Sequence, residues 1–498
     1  MKQDYYLLSM FAGFLICCFA CDKENGINDE DEHSDTIDVP IDTGYKPVPI
    51  DTADWPDAVK ITYNGQMATI TNPYLGKGVV ITQVEADIVV TSTTDSEIQY
   101  VLTGSTTKGS LKIYSQTQFE LIMNGVDIVN SNDPALNIQS TKRATITLYE
   151  GTSNRLAGGI SFVSEGKGED MKAAMFSEGA LVFSGPGSLE VNSRYRHAIC
   201  SDEYISIDDG HITIPMSARD GIHTNNFFRM NGGTLDIKCY SDGIDSEGYV
   251  IISGGTIRIE TSQESGHGIK ASAQRTVANT GNITVNGGEI SIKAPGLDSE
   301  GMKCKANLVV NDGIIEIESN NDGMKVTTSL TINGGSIYCY SETNDGIDSD
   351  GPVTINGGTI VAVGTSTQEG FDCSSSAFKI TGGTVLGIAS LTTMPSATAS
   401  TQRSFIYTGN SLPQNTVFSA TSKDGKNILT YLIPRVFSTN MTILFSSPEL
   451  QNGAAYTITS GGNITGETSF HGLYNNATVA GGTTLAEFTV SSMVVTVR

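Results

Sequence analysis

Positive charge is scarce in this sequence. Thirty Lys and Arg stand against 54 Asp and Glu in 498 residues, a formal net charge of −24. Nucleic acid is therefore excluded as a partner, because phosphate binding needs a basic face. Long Ala/Leu/Glu/Lys stretches are missing, which excludes a helical bundle. Charged residues make up only 17%, too few for a body that stays disordered. Gly, by contrast, is plentiful at 54 residues against 14 Pro. Val, Ile and Thr are also frequent, a composition of strands and turns. The excess of carboxylates suits either a hard divalent cation or solubility alone.

The N-terminus has the pattern of a processed segment. Lys2 precedes a largely apolar run from Tyr5 to Ala20, too short for a membrane span and suited to a signal-peptide core. The run ends Cys18-Phe19-Ala20-Cys21, which resembles the lipobox of bacterial lipoproteins and makes Cys21 the expected acylated residue. Cys18 holds the usual Leu position there and is itself a second candidate site; an ordinary cleaved signal peptide is the third reading. Residues 22–55 form an acidic linker, with Asp29-Glu30-Asp31-Glu32 and then Pro40, Pro47 and Pro49. It reads either as a solvated tether or as the surface-export signal that it resembles. The expected location is the outer membrane or cell surface, with lipid as the only membrane contact. Beyond Cys21 remain Cys200, Cys239, Cys304, Cys339 and Cys373, none of them in a C-x-x-C zinc spacing. They read as small buried hydrophobes.

The centre of the chain is a repeat. A Gly-Gly turn follows a short strand at Gly233, Gly255, Gly288, Gly335, Gly358 and Gly383, and Asp209-Gly210 and Asp312-Gly313 hold equivalent places. Successive spacings from Gly210 are 23, 22, 33, 25, 22, 23 and 25, a period in the low twenties that marks a solenoid. The long interval contains a loop insertion from Ser272 to Gly281. L-x-x-L-x-L and G-G-x-G-x-D are absent, which excludes leucine-rich repeats and calcium-binding nonapeptide rolls. The pattern predicts an all-β fold, a right-handed parallel β-helix of about a dozen coils at ~4.8 Å each. Residues 56–120 are expected to form an N-terminal cap and the first coils, 121–395 the helix, and 396–498 a small C-terminal β region that closes its end. Within a coil, Leu330 and Ile332 and then Ile337 and Cys339 point inward on either side of Asn333-Gly334-Gly335. Asn231, Asn286, Asn333 and Asn356 are expected to form a ladder between coils.

Each coil carries a second, charged turn. Its first column is Asp220, Asp242, His267, Glu300, Asp322, Asp345 and Glu369. Its last column is His223, Asp245, Lys270, Lys303, Lys325, Asp348 and Asp372. Carboxylates ~4.8 Å apart repel by ~1 kcal/mol in water and ~3–4 kcal/mol at an effective dielectric near 20. Either each Asp caps its own Gly turn, or a cation gathers several of them. The cation reading names Asp220, Asp242, Asp245, Asp298, Asp322, Asp345, Asp348 and Asp372 as calcium ligands. Lys270, Lys303 and Lys325 read as carbohydrate-binding residues, or as a surface ladder paired with the acids.

Several segments together resemble the bacterial carbohydrate-binding parallel β-helix proteins related in fold to polysaccharide lyases. They are Met123-Asn124-Gly125-Val126-Asp127-Ile128, Ile146-Thr147-Leu148-Tyr149-Glu150-Gly151, Ser153-Asn154-Arg155-Leu156, Ser184-Gly185-Pro186-Gly187 and Tyr195-Arg196-His197-Ala198-Ile199. The Asp-Gly-Ile and Asn-Gly-Gly repeats follow, then Phe445-Ser446-Ser447-Pro448. The resemblance implies binding of cellulose or acidic polysaccharide, bound calcium and no established catalysis. Lys303 and Lys325 depart from it, standing where a calcium-rich turn would prefer Asp. The expected function is a monomeric, surface-anchored, calcium-bearing polysaccharide-binding lipoprotein. A lyase using a lysine base and a structural surface fibre are the alternatives. The single Trp55 argues against a platform of several Trp and favours acidic over neutral crystalline glycans, with Tyr195, Tyr240 and Tyr340 as stacking candidates.

Cys21→Ser is expected to release the protein from the membrane fraction. Retention would assign the anchor to Cys18 or to an uncleaved signal segment.

Overall fold

A computed structural model describes residues 55–162, 168–273, 280–374, 377–438, 440–466 and 468–498. Cys21, Cys18, the signal segment, the linker up to residue 54 and the middle of the loop insertion (274–279) lie outside the described residues. All regular structure among the described residues is β-strand.

The chain winds as a parallel β-helix with three strands per coil. In one coil these are Met324–Val326, Ser329–Ile332 and Ser336–Ser341. Strands of this first kind stack into a narrow sheet of thirteen, whose first pair is antiparallel and whose other pairings are parallel. The second and third strands of each coil form the two broad faces. Register is held from coil to coil: Val310 pairs with Ile332 and Ile332 with Ile355, all fully buried. Alternation therefore fills the interior with a continuous Ile/Val/Leu column, each side chain contributing ~1.5–3 kcal/mol by burial. The five described cysteines are buried in the coils.

The two kinds of turn use glycine differently. In Asn333-Gly334-Gly335 the second glycine sits at φ +86°, a left-handed conformation that side chains resist. In Asp242-Gly243-Ile244 the constraint is space. A Cβ on Gly243 would lie 2.4 Å from Ile259 Cγ2 and 2.6 Å from the Gly268 carbonyl oxygen. The asparagine ladder is present, with Asn311 as a member in place of Asn231. Asn311 donates to Asn286, Asn333 to Asn311 and Asn356 to Asn333, at 2.7–2.8 Å. Asn231 instead donates to Asp208, at 2.7 Å.

Upstream, Val59–Asn64 pairs antiparallel with Met67–Thr71 and parallel with Ile98–Thr106, covering an edge that would otherwise invite pairing. The motif residues Asp127, Asn154 and Arg155 prove to be internal. Arg155 holds Asp127 through two 2.9 Å bonds, and Asn154 Oδ1 accepts the Gly125 and Val126 amides.

The C-terminal region does more than close the end. Asn440–Ser446 pairs antiparallel with Thr384–Ala389 at the last coil. A six-stranded sheet also lies against one flank of the helix. Its Phe418 and Tyr431, with Phe437 just beyond, pack in one cluster with Val361, Val363, Leu386 and Ile388, which point out of the coils. Upstream strands such as Thr256–Thr261 alternate buried and exposed, whereas Thr359–Val363 is buried from its second residue on.

Two substitutions separate these constraints. Gly243→Ala is expected to destabilise by ~1–3 kcal/mol through overpacking although its φ is ordinary. Ile332→Ala is expected to lose ~2–5 kcal/mol by leaving a cavity. Both would be read as lower denaturant midpoints, and an unshifted Gly243→Ala midpoint would contradict the close approach.

Candidate functional site

The narrow face carries both charged columns, in the register expected. His223 pairs with Asp245, Asp245 with Lys270, Lys270 with Lys303, Lys303 with Lys325, Lys325 with Asp348 and Asp348 with Asp372. The strands are three residues long because a glycine turn and a polar turn bound each of them. The middle residue of each strand faces out beside the first-column residue of its own turn.

Four acids of the first column act as caps, each for the coil that follows and not for its own turn. Asp220 Oδ1 accepts the amide of Asp242, and Asp242 Oδ1 accepts that of His267. Asp322 Oδ1 accepts the amide of Asp345, and Asp345 Oδ1 that of Glu369. Stacking places the next amide over each carboxylate, so one oxygen of each of these four acids is used by the backbone and the other is left for a cation.

What answers that second oxygen differs along the face. In the N-terminal half it meets bases. Asp220 Oδ2 lies 3.1 Å from His197 Nδ1 and 3.3 Å from His223 Nδ1. Lys270 Nζ lies 3.1 Å from Asp242 and 3.6 Å from Asp245. His267 Nδ1 lies 2.6 Å from Glu300, and Lys303 sits 3.0 Å from His267 Nε2 and 3.5 Å from Glu300. Burial opposes ionisation of Asp220, but His197 and His223 more than offset it and hold the carboxyl well below its ordinary range. Burial raises Asp242 to about 6, against the pull of Lys270. Lys270 is held protonated by Asp242 and Asp245 despite its burial.

In the C-terminal half acids outnumber bases. Lys325 bonds to Asp348 and Asp350. Among the described residues no ion pair reaches Asp322, Asp345, Glu369 or Asp372. Asp322, Asp345 and Asp348 each bring one carboxylate oxygen within 4.8 Å of the other two. Burial, reinforced by Asp348, pushes Asp322 up to about 8, and burial with neighbouring acids pushes Asp345 up to about 7. Asp220, Asp242 and Asp245 converge in the same way, with His223 and Lys270 among them. Asp298 joins neither group: it is exposed at φ +56°, with its amide directed to Asn320 Oδ1.

Of the tyrosines, Tyr340 lies under the Arg435 guanidinium, 5.1 Å from its ring centre, and Tyr195 packs edge-on to Phe162 at 5.0 Å. Tyr240 is half-buried. Two features escaped the sequence reading. His197 extends the first column one coil upstream, at the repeat spacing but without the Asp-Gly signature. Tyr204, Phe227 and Tyr249 stack with centroids 4.5 and 4.9 Å apart. Their spacings of 23 and 22 residues were the available signal.

A family model described as carbohydrate-binding domain-containing protein matches residues 85–346 and 296–487. A carbohydrate-binding domain-containing protein of Acetivibrio thermocellus is 25% identical over 225 residues, covering 43% of this chain and 74% of that one. A solved structure described as the polysaccharide lyase-like protein from C. thermocellum, gadolinium derivative, is 19% identical. It covers 65% of this chain and 96% of its own, with a TM-score of 0.38.

The split face predicts opposed pH dependences. Asp322 and Asp345 hold protons more tightly folded than unfolded, where the carboxyl sits near 3.8. Their contribution is full below that value and is lost as pH rises through about 7 and 8. Asp220, Asp245 and Glu300 are lowered, so theirs is present above the unfolded values and lost as pH falls. In metal-free buffer the melting temperature should fall from about pH 5 to pH 8. Asp322→Asn, which keeps an oxygen for the Asp345 amide, should flatten that fall. An unchanged slope in this variant would refute the assignment.

Proposed function

This chain belongs to the carbohydrate-binding domain-containing protein family, and from that premise we propose that it binds acidic polysaccharide along its narrow face with calcium as the bridge. The observation that carries the reading is the Asp322–Asp345–Asp348 group, three convergent carboxylates that, among the described residues, no ion pair other than Lys325 on Asp348 neutralises. Hard cations take several oxygens, and Asp372 stands in register one coil beyond Asp348 to add another. A polyanion approaching a chain of net charge −24 is repelled, so a uronate needs a cation between the two sets of carboxylates. Lys303 and Lys325, with side chains 23% and 27% exposed, supply further positive charge at the rim.

The reading is of binding without catalysis. A lyase needs an unprotonated base beside the sugar acid, with a pKa tuned toward the working pH. Lys270 and Lys325 are shifted the other way by Asp242 and Asp348, against the effect of burial. Lipid on Cys21 and a tether of about thirty residues would hold this face away from the membrane, consistent with glycan capture at the cell surface.

Calorimetry with calcium and oligogalacturonate tests the proposal. Calcium should raise the melting temperature, and binding of the oligosaccharide should disappear in EGTA. Asp345→Asn keeps the cap on Glu369 and should weaken calcium binding by about tenfold or more. Lys303→Gln with Lys325→Gln should weaken uronate binding and leave the calcium response in place. Ultraviolet absorbance from unsaturated product would establish the lyase instead. Absence of heat with either ligand would return the face to a structural role.

A further inference from the structure

The upstream end of the narrow face differs in chemistry from the oxygen-only group at Asp322. His197, Asp220 and His223 come from successive coils, and all three residues are buried. Each offers one donor atom within 4.8 Å of the other two. The two imidazoles stack with centroids 4.7 Å apart and 21° between planes, and both turn Nδ1 toward the same oxygen, Asp220 Oδ2.

From this geometry we propose that His197, Asp220 and His223 form a binding site for a borderline divalent transition metal of the zinc class. The distances decide between a metal site and a simple ion pair. Ligand atoms about 2.0–2.1 Å from a tetrahedral zinc lie about 3.3 Å from one another. The two Nδ1···Oδ2 separations are 3.1 and 3.3 Å. One imidazole suffices to pair a carboxylate, and here a second is directed at the same atom. Despite its approach, His197 Nδ1 is not aligned for a hydrogen bond. Asp245 Oδ1 is also buried without a hydrogen-bond partner, while Asp245 Oδ2 lies 3.5 Å from His223 Nδ1. The second carboxylate thus stands beside the donor set with an oxygen to spare.

Donor type separates this site from the downstream one. Two nitrogens and a carboxylate suit zinc, cobalt, nickel or copper, whereas calcium requires six to eight oxygens. Three protein ligands leave a fourth position for water or for an oxygen of a bound ligand. Backbone pairing orients the set: Asp220 Oδ1 is fixed by the Asp242 amide, so Oδ2 is the oxygen left to coordinate.

Titration of the full mature chain with Co²⁺ tests the proposal. One equivalent should give the visible bands of a four-coordinate site, and Zn²⁺ but not excess Ca²⁺ should abolish them. His197→Gln and His223→Gln should each reduce the affinity by at least tenfold, while His211→Gln, on the exposed surface, should leave it unchanged. No bands, or bands that persist in both variants, would overturn the assignment. Should either variant fail to fold by circular dichroism, long-range ¹H–¹⁵N correlation on the wild type decides. Zn²⁺ must shift the Nδ1 signals of two of the six histidines. Unmoved signals, or shifts at Nε2 alone, would overturn it equally. A missing calcium response leaves this result untouched, because the two sites share no ligand.

Discussion

Every coil lies in register on the one before it, and that single constraint governs the molecule. Stacking gives each side chain a counterpart of the same position about 4.8 Å above and below. For apolar residues the consequence is favourable: Val310, Ile332 and Ile355 form an unbroken interior column. For asparagine it creates an amide ladder through Asn286, Asn311, Asn333 and Asn356. For carboxylates it is unfavourable, because like charges are brought together by the same geometry that orders the core. The narrow face is where this conflict is concentrated.

The conflict is resolved in two ways. Each of Asp220, Asp242, Asp322 and Asp345 gives one oxygen to the next coil's amide, which uses the stacking as a source of hydrogen bonds. The other oxygen is met by His197, His223 and Lys270 in the upstream half. Downstream, Lys325 reaches Asp348 and leaves Asp322 and Asp345 to burial, which holds their protons on near neutral pH. A face with internal cations at one end and uncompensated acids at the other is chemically polarised along the helix axis.

The solenoid and the two columns were legible because a β-helix repeats its sequence constraints at a fixed period. Asp-Gly-Ile and Asn-Gly-Gly each mark a backbone position that recurs every coil, one for close approach at Gly243 and one for positive φ at Gly335. His197 was missed because His-Ala-Ile-Cys lacks the glycine by which its coil would have been aligned. The flank contact was missed for a similar reason. Val361, Val363, Leu386 and Ile388 occupy outward positions, and an apolar outward residue gives no indication of what covers it. Tyr338 illustrates the point: its ring lies parallel to His471, 3.7 Å away and 133 residues later in the chain.

The sequence by itself determined the coil period, the inward and outward faces, and which residues share a column, since all of these follow from local strand alternation and turn chemistry. Only the tertiary structure decided which oxygen of each acid is already used, which base answers the other, and which carboxylates converge without one. Those outcomes depend on side-chain direction and burial between coils, and a distance of 3 Å between residues twenty or more apart is set by how the coils stack, not by how far apart they lie in sequence.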